Sequence, residues 1–254
     1  MNAFSSIHNG IHSKKKTSNF VPSGASAWWD ASDPHGNGVA PSDSTEISSW
    51  KDKSGNGYHA TGANSARYSA ENKCLLFISN VGYTTSYPAN PTTETIFVVF
   101  NTDSLGGFLI IGSSGSGNRA TGITNFGSPN STFNGYVILK GGVSYGAVSY
   151  GLTAGITTLA TTTVNTSSNQ TTASLNGGAS SLDNNISSYN AGYTYIGKDS
   201  SVSQFWFKGK FMEMIIYNSV LSGPQIQKIE GYLAWKWGIQ NKLPTNHPYY
   251  SVKP

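Results

Sequence analysis

The chain has 254 residues and a formal net charge of +4 from 16 basic and 12 acidic side chains; 37% of its residues are hydrophobic, 12% aromatic and only 11% charged. Charged residues make up roughly 25% of an ordinary globular chain; here Gly (29 residues), Ser, Thr and Asn take their place, which argues against a helical bundle and for many short strands joined by tight turns. The only basic run is Lys14-Lys15-Lys16, with no Arg-rich helix and no interleaving of basic and aromatic residues, so nucleic acid is not an expected partner.

Residues 1–20 are polar and are read as a flexible arm, a tether or a segment ordered by a partner, with one domain over 21–254. The first residues lack the apolar core of a secretory signal, and no apolar stretch is long enough to span a membrane. Ordered structure is expected from Ala25-Ser-Ala-Trp-Trp-Asp30. Cys74, the one cysteine, lies in the apolar run Cys-Leu-Leu-Phe and reads as a buried small hydrophobe that cannot form an intrachain disulfide. The strongest strand is Thr95-Ile-Phe-Val-Val-Phe100, a continuous apolar run of the kind covered on both faces. Further strands are predicted at 108–111, 136–140, 157–164, 171–175, 193–196 and 211–217. The segments 157–164 and 171–175 roughly alternate polar and apolar residues, as antiparallel strands with one wet face do. Asn176-Gly177 is a hairpin-type turn signal.

The chain contains one convincing helix, near its C-terminus. Ser222 and Gln225 have the spacing of a capping box, and Pro224 falls in the first turn. Ile226, Ile229, Leu233 and Trp237 form one apolar stripe, Gly238 stands where a helix stops, and Pro244 bars a restart. The stripe predicts packing against the strands.

Three blocks together carry a resemblance: Trp28-Trp-Asp-Ala-Ser-Asp33; Ile47-Ser-Ser-Trp-Lys-Asp-Lys-Ser-Gly-Asn-Gly-Tyr-His-Ala60; and Tyr195-Ile-Gly-Lys198 with Gly209-Lys-Phe-Met-Glu-Met-Ile-Ile-Tyr-Asn218 and Gly231-Tyr-Leu-Ala-Trp-Lys-Trp-Gly238. They resemble the laminin-G-like branch of the concanavalin A-like jelly rolls, a branch found in bacterial surface proteins and in phage and giant-virus structural proteins. The resemblance implies an all-β, two-sheet antiparallel jelly-roll sandwich with one C-terminal α-helix packed on it. It also implies binding of glycans or proteins, in some members with calcium.

Glucanases of this fold carry Glu and Asp at alternating positions of one strand. The strand that looks equivalent, Phe211 to Tyr217, has Glu213 but Ile215 where the second carboxylate would stand. Glu213 is therefore expected on a wet face or in a structural pair, and no catalytic residue is assigned. For calcium, Asp30 with Asp33 and Asp52 with Asn56 sit in Gly/Ser/Asn loops that offer oxygen ligands; the same carboxylates can instead cap backbone N–H groups in Asx-turns. His8 and His12 lack further zinc ligands. For glycan, the loop tyrosines Tyr83, Tyr87, Tyr145, Tyr150 and Tyr189 are candidate platforms.

These readings converge on a non-enzymatic jelly-roll module on a virion or another extracellular surface. It would bind glycan or dock to a neighbouring structural protein, and a ring-shaped homo-oligomer fits such a role. The alternative is a polysaccharide-acting glycoside hydrolase on the same fold.

Overall fold

The computed structural model describes residues 22–78, 80–88, 92–103, 108–113, 119–124, 135–140, 144–150, 152–183, 193–198 and 206–254. Among the described residues the chain is mostly β with a single α-helix near the C-terminal end. Its strands are β1 (Ala27–Asp30), β2 (Glu46–Trp50), β3 (Ala60–Ser69), β4 (Cys74–Phe77), β5 (Gly82–Thr85), β6 (Thr93–Thr102), β7 (Phe108–Ser113), β8 (Arg119–Thr124), β9 (Gly135–Lys140), β10 (Ser144–Tyr150), β11 (Thr158–Asn165), β12 (Gln170–Leu175), β13 (Ser181–Asp183), β14 (Tyr193–Ile196) and β15 (Gly209–Tyr217), followed by α1 (Gly223–Lys236) and a 3-10 turn, Gln240–Lys242. The arm proposed for residues 1–20, with Lys14–Lys16, His8 and His12, lies outside the described residues.

Hydrogen-bonded neighbours run β10-β9-β8-β7-β14-β5-β3-β4-β15-β6-β11-β12-β13, with β1 on β15 and β2 on β3. Every named pairing is antiparallel. The path curls back, bringing β10 close to β12 and β13. One core, with Trp29, Trp50, Tyr83, Phe77, Phe100 and Phe211, fills the space inside the curl. A second lies between the strands and α1 and holds Phe97, Val99, Ile215, Ile229, Leu233 and Ala234.

Strand β6 explains its own sequence. Ile96, Val98 and Phe100 face the first core, while Phe97 and Val99 face the second. With both faces dry, no position needs a polar side chain. At the Asn176-Gly177 turn both residues adopt positive φ, 51° and 66°, and Gly178 N–H donates to the Leu175 carbonyl at 2.9 Å, as such a turn requires. Helix α1 starts where its signals put it: Gln225 Oε1 accepts from Ser222 N–H at 2.9 Å and Oγ–H at 2.8 Å. Gly238 ends it with φ 70°.

A β-bulge in β15 sets the direction of Glu213. Between β15 and β6 the register slips from Phe211↔Phe100 to Glu213↔Val99. Two consecutive residues, Met212 and Glu213, thereby oppose one step of the partner. Phe211 faces the first core and Met212 the second, and the extra residue turns Glu213 toward α1 as well.

Candidate functional site

The helix-facing side of β1 and β15 carries the densest group of charges among the described residues. The register sets Asp30 directly opposite Glu213, a like-charge pair that would repel if left alone. Lys236, in the last turn of α1, projects between them: its Nζ lies 2.8 Å from Asp30 Oδ2 and 2.7 Å from Glu213 Oε2. Lys53 approaches from the loop after β2, 3.0 Å from Asp30 Oδ2 and 2.9 Å from Asp33 Oδ2. Aromatic side chains wall the group. Trp28 Nε1 donates to Glu213 Oε1 at 2.7 Å, Trp237 Nε1 to Oε2 at 2.7 Å and the Tyr232 hydroxyl to Oε1 at 3.1 Å. Lys53 stacks 4.9 Å from the Trp28 ring centroid and Lys236 5.2 Å from that of Trp237.

Glu213 is fully buried and Asp30 is 3% exposed. Their environments push them apart. Burial raises the proton affinity of Glu213, and Lys236 only partly counters it. Burial pushes Asp30 the same way, yet Lys236, Ser32 and Lys53 together outweigh it and hold this carboxyl below the usual range. Lys53 is pulled down by burial and raised further by Asp30 and Asp33, so it stays charged. Each oxygen of Glu213 already accepts two donors. It has no lone pair left for a substrate.

No protein-family model matches the sequence, and no curated protein matches it. Solved structures share the fold. A Trypanosoma rangeli sialidase in complex with sialic acid superposes with a TM-score of 0.56 at 16% identity, over 84% of this chain and 33% of that one. An arabinofuranosidase complexed with arabinofuranosyl-α-1,2-xylobiose gives 0.56 at 13% identity, over 84% and 59%. A GH54 α-L-arabinofuranosidase soaked with a cyclic sulfate inhibitor gives 0.57 at 12% identity, over 84% and 60%. The chain thus spans a third of the sialidase and about three-fifths of the two arabinofuranosidases. These neighbours correct the functional expectation. The fold is shared with glycoside hydrolases, so the reading of a non-enzymatic virion module docked to a structural protein is overturned. Among the described residues no helix is long and apolar enough to cross a membrane.

The structure also relocates the candidate residues. Asp30 and Asp33 do share a cation, but it is the Lys53 ammonium, standing where calcium was expected. Their other oxygens cap their own loop: Asp30 Oδ1 accepts from Ser32 N–H at 2.9 Å, and Asp33 Oδ1 from Asn37 N–H at 3.1 Å. Asp52 is spent the same way, on Trp28 N–H and Ser54 N–H at 2.9 Å and on Tyr58 N–H at 3.0 Å. Asn56 turns its amide to the Ser26 carbonyl at 3.0 Å. Among the described residues no three His, Cys, Asp or Glu side chains are grouped to hold a metal ion.

Tyr83 is not on a loop but on β5, fully buried, donating to the Ile47 carbonyl at 2.6 Å and accepting from Ala66 N–H at 3.1 Å. Tyr87 is 1% exposed, edge-on to Trp29 and Tyr58, with its hydroxyl on Glu94 at 2.9 Å. Neither offers a face to a sugar. Tyr145 and Tyr150 lie on β10, and Tyr189 lies outside the described residues. Of the two expectations for Glu213, the structural pair holds and the wet face does not. Sequence reasoning missed Lys53 and Lys236. The signal available was the Trp-Lys-Trp string at 235–237, a cation between aromatics on one helical turn.

Proposed function

We propose that this chain is the carbohydrate-engaging β unit of a glycoside hydrolase, built as a concanavalin A-like jelly roll of the laminin-G-like kind. The observation that carries the reading is the fold shared over 84% of the chain with a sialidase and two arabinofuranosidases. The three sequence blocks that resemble the jelly-roll family support the finer architecture. Most glycoside hydrolases use two carboxyl groups about 5–10 Å apart that can reach the sugar. Asp30 and Glu213 are close together through Lys236 but sealed from solvent, so the bond-breaking carboxylates stand elsewhere. Tyr145 and Tyr150 on β10 remain the tyrosines this reading assigns to glycan contact.

The test uses the purified chain against plant polysaccharides, sialyllactose and 4-nitrophenyl α-L-arabinofuranoside. Binding is read by affinity electrophoresis and hydrolysis by reducing-end or nitrophenol release. Retardation by at least one glycan, weakened by Tyr145→Ala or Tyr150→Ala, is the expected result. Neither retardation nor release across the panel would refute the proposal.

A further inference from the structure

The cluster on β1, β15 and α1 has the composition of a reaction centre whose substrate is the protein itself. We propose that Lys236 and Asp30 condense to an intramolecular amide, with Glu213 carrying the proton, which ties α1 covalently to β1. The structure holds the unreacted pair: Lys236 Nζ rests 2.8 Å from Asp30 Oδ2 and 2.7 Å from Glu213 Oε2.

The step balances without an outside reagent. The Lys236 ammonium passes one proton along its contact with Asp30 Oδ2, which leaves a neutral carboxylic acid beside a free amine, and the amine attacks Asp30 Cγ. The C–N bond forms and the Cγ–Oδ2 bond breaks. Oδ2 leaves as water with two of the three ammonium protons, one received before the attack and one carried from nitrogen by Glu213 after it; the third stays as the amide N–H. Every part has its group in place. Oδ1, the oxygen that stays, is held by Ser32 N–H at 2.9 Å and Ser32 Oγ–H at 2.6 Å, donors that stabilise the negative charge of the tetrahedral stage. Lys53 Nζ, 3.0 Å from Oδ2, eases departure of that oxygen. Burial gives Glu213 a raised proton affinity, which suits a group that must hold a proton between two steps.

Two physical arguments favour the product. Reacting groups held in contact by a folded frame behave as if present at about 10⁵ M or more, and here one is fixed by a strand pairing and the other by a helix docked on it. Condensation also removes two charges from the interior, together with the desolvation penalty they carry. The Lys236 side chain keeps 21% exposure, a path for the released water. Lys53 touches Asp30 too, but it is shared with Asp33, and the ion pairs place Glu213 on Lys236. Lys236 is therefore the nucleophile.

The test is an intact mass of the purified full chain under denaturing conditions. The expected mass lies one water below that of the sequence. Trypsin should no longer cleave after Lys236, and the digest should contain a branched peptide joining the segment with Asp30 to the segment with Lys236. Lys236→Arg and Glu213→Gln should restore the full mass. An unmodified mass for the parent chain overturns the proposal outright, whatever the variants do. A missing water that persists in Lys236→Arg assigns the loss to another dehydration and overturns it equally.

Discussion

Gly231→Ala sets two known effects against each other inside α1. Ala is the better helix former by about 1 kcal/mol, so local reasoning predicts stabilisation. The packing predicts the reverse. A methyl group at position 231 would stand 2.5 Å from Tyr249 Cβ, 2.6 Å from Cγ and 2.8 Å from Cδ2. Cβ is fixed to the backbone, so no rotamer change relieves the shortest of these contacts. The tail itself is pinned: the Tyr249 carbonyl accepts from Trp235 Nε1 at 2.8 Å, and its N–H donates to His247 Nδ1 at 3.2 Å. Overpacking costs about 1–3 kcal/mol, and displacing the tail sacrifices about 1 kcal/mol of hydrogen bonding. After the helix gain, Gly231→Ala should be less stable by about 1–3 kcal/mol. Urea unfolding followed by Trp fluorescence reads this as a lower midpoint at unchanged slope. A variant as stable as the parent, or more so, would show that the tail is not locked onto the helix.

Tyr83→Phe should cost about 1–2 kcal/mol in the same assay, because it strands the buried Ile47 carbonyl and Ala66 N–H, and it should leave glycan retardation unchanged. Glu213→Ala strands two indole N–H groups and takes an acceptor from the Tyr232 hydroxyl; a loss of about 3–5 kcal/mol is expected, and a loss below about 1 kcal/mol would contradict the burial described. Burial raises the Cys74 thiol from 9.0 to about 12 and the Tyr217 phenol from 10.0 to about 12. Both stay neutral in the fold where the unfolded chain ionises, so their contribution is intact below pH 9 and is lost as pH climbs toward about 12. Urea midpoints across that range should fall steadily, and Cys74 should resist thiol reagents until the chain unfolds.

The parts legible in the sequence are those governed by neighbours in the chain. Ser222, Gln225, the stripe from Ile226 to Trp237 and Gly238 specify α1 through contacts a few residues apart, and the helix forms where they place it. The apolar run of β6 reported burial on both faces for the same reason. Strands β2, β3 and β5 were not read, because their buried residues, Ile47 and Trp50, Ala60, Ala66 and Tyr68, and Tyr83, are scattered among Ser, Thr, Asn and Gly. Tyr83 and Tyr87 looked like loop residues by their Gly and Ser company; only the pairing of β5 with β3 and β14 takes them inside. Glu213 defeated the period-2 rule, since the bulge that turns it toward α1 is a property of the β15–β6 pairing. The ion pairing of Asp30 and Asp33 was hidden for a similar reason. The lysine that occupies the Asp30–Asp33 site was visible as a residue, but its partners are fixed by the approach of separate segments.

The pairing of β1 with β15 has a consequence for synthesis on the ribosome. Trp28 meets Glu213 across 185 positions of sequence, and β15 joins β6 on one side to β1 and β4 on the other. Until β15 emerges, β6 and β4 present an open apolar seam, and the second core has no helix to cover it. The nascent chain must therefore carry unpaired strand edges until β15 is made, a state prone to aggregation. Completion of this fold waits on β15 and α1, and a chain released before Gly209 should enter inclusion bodies or be degraded rather than accumulate as a smaller soluble domain.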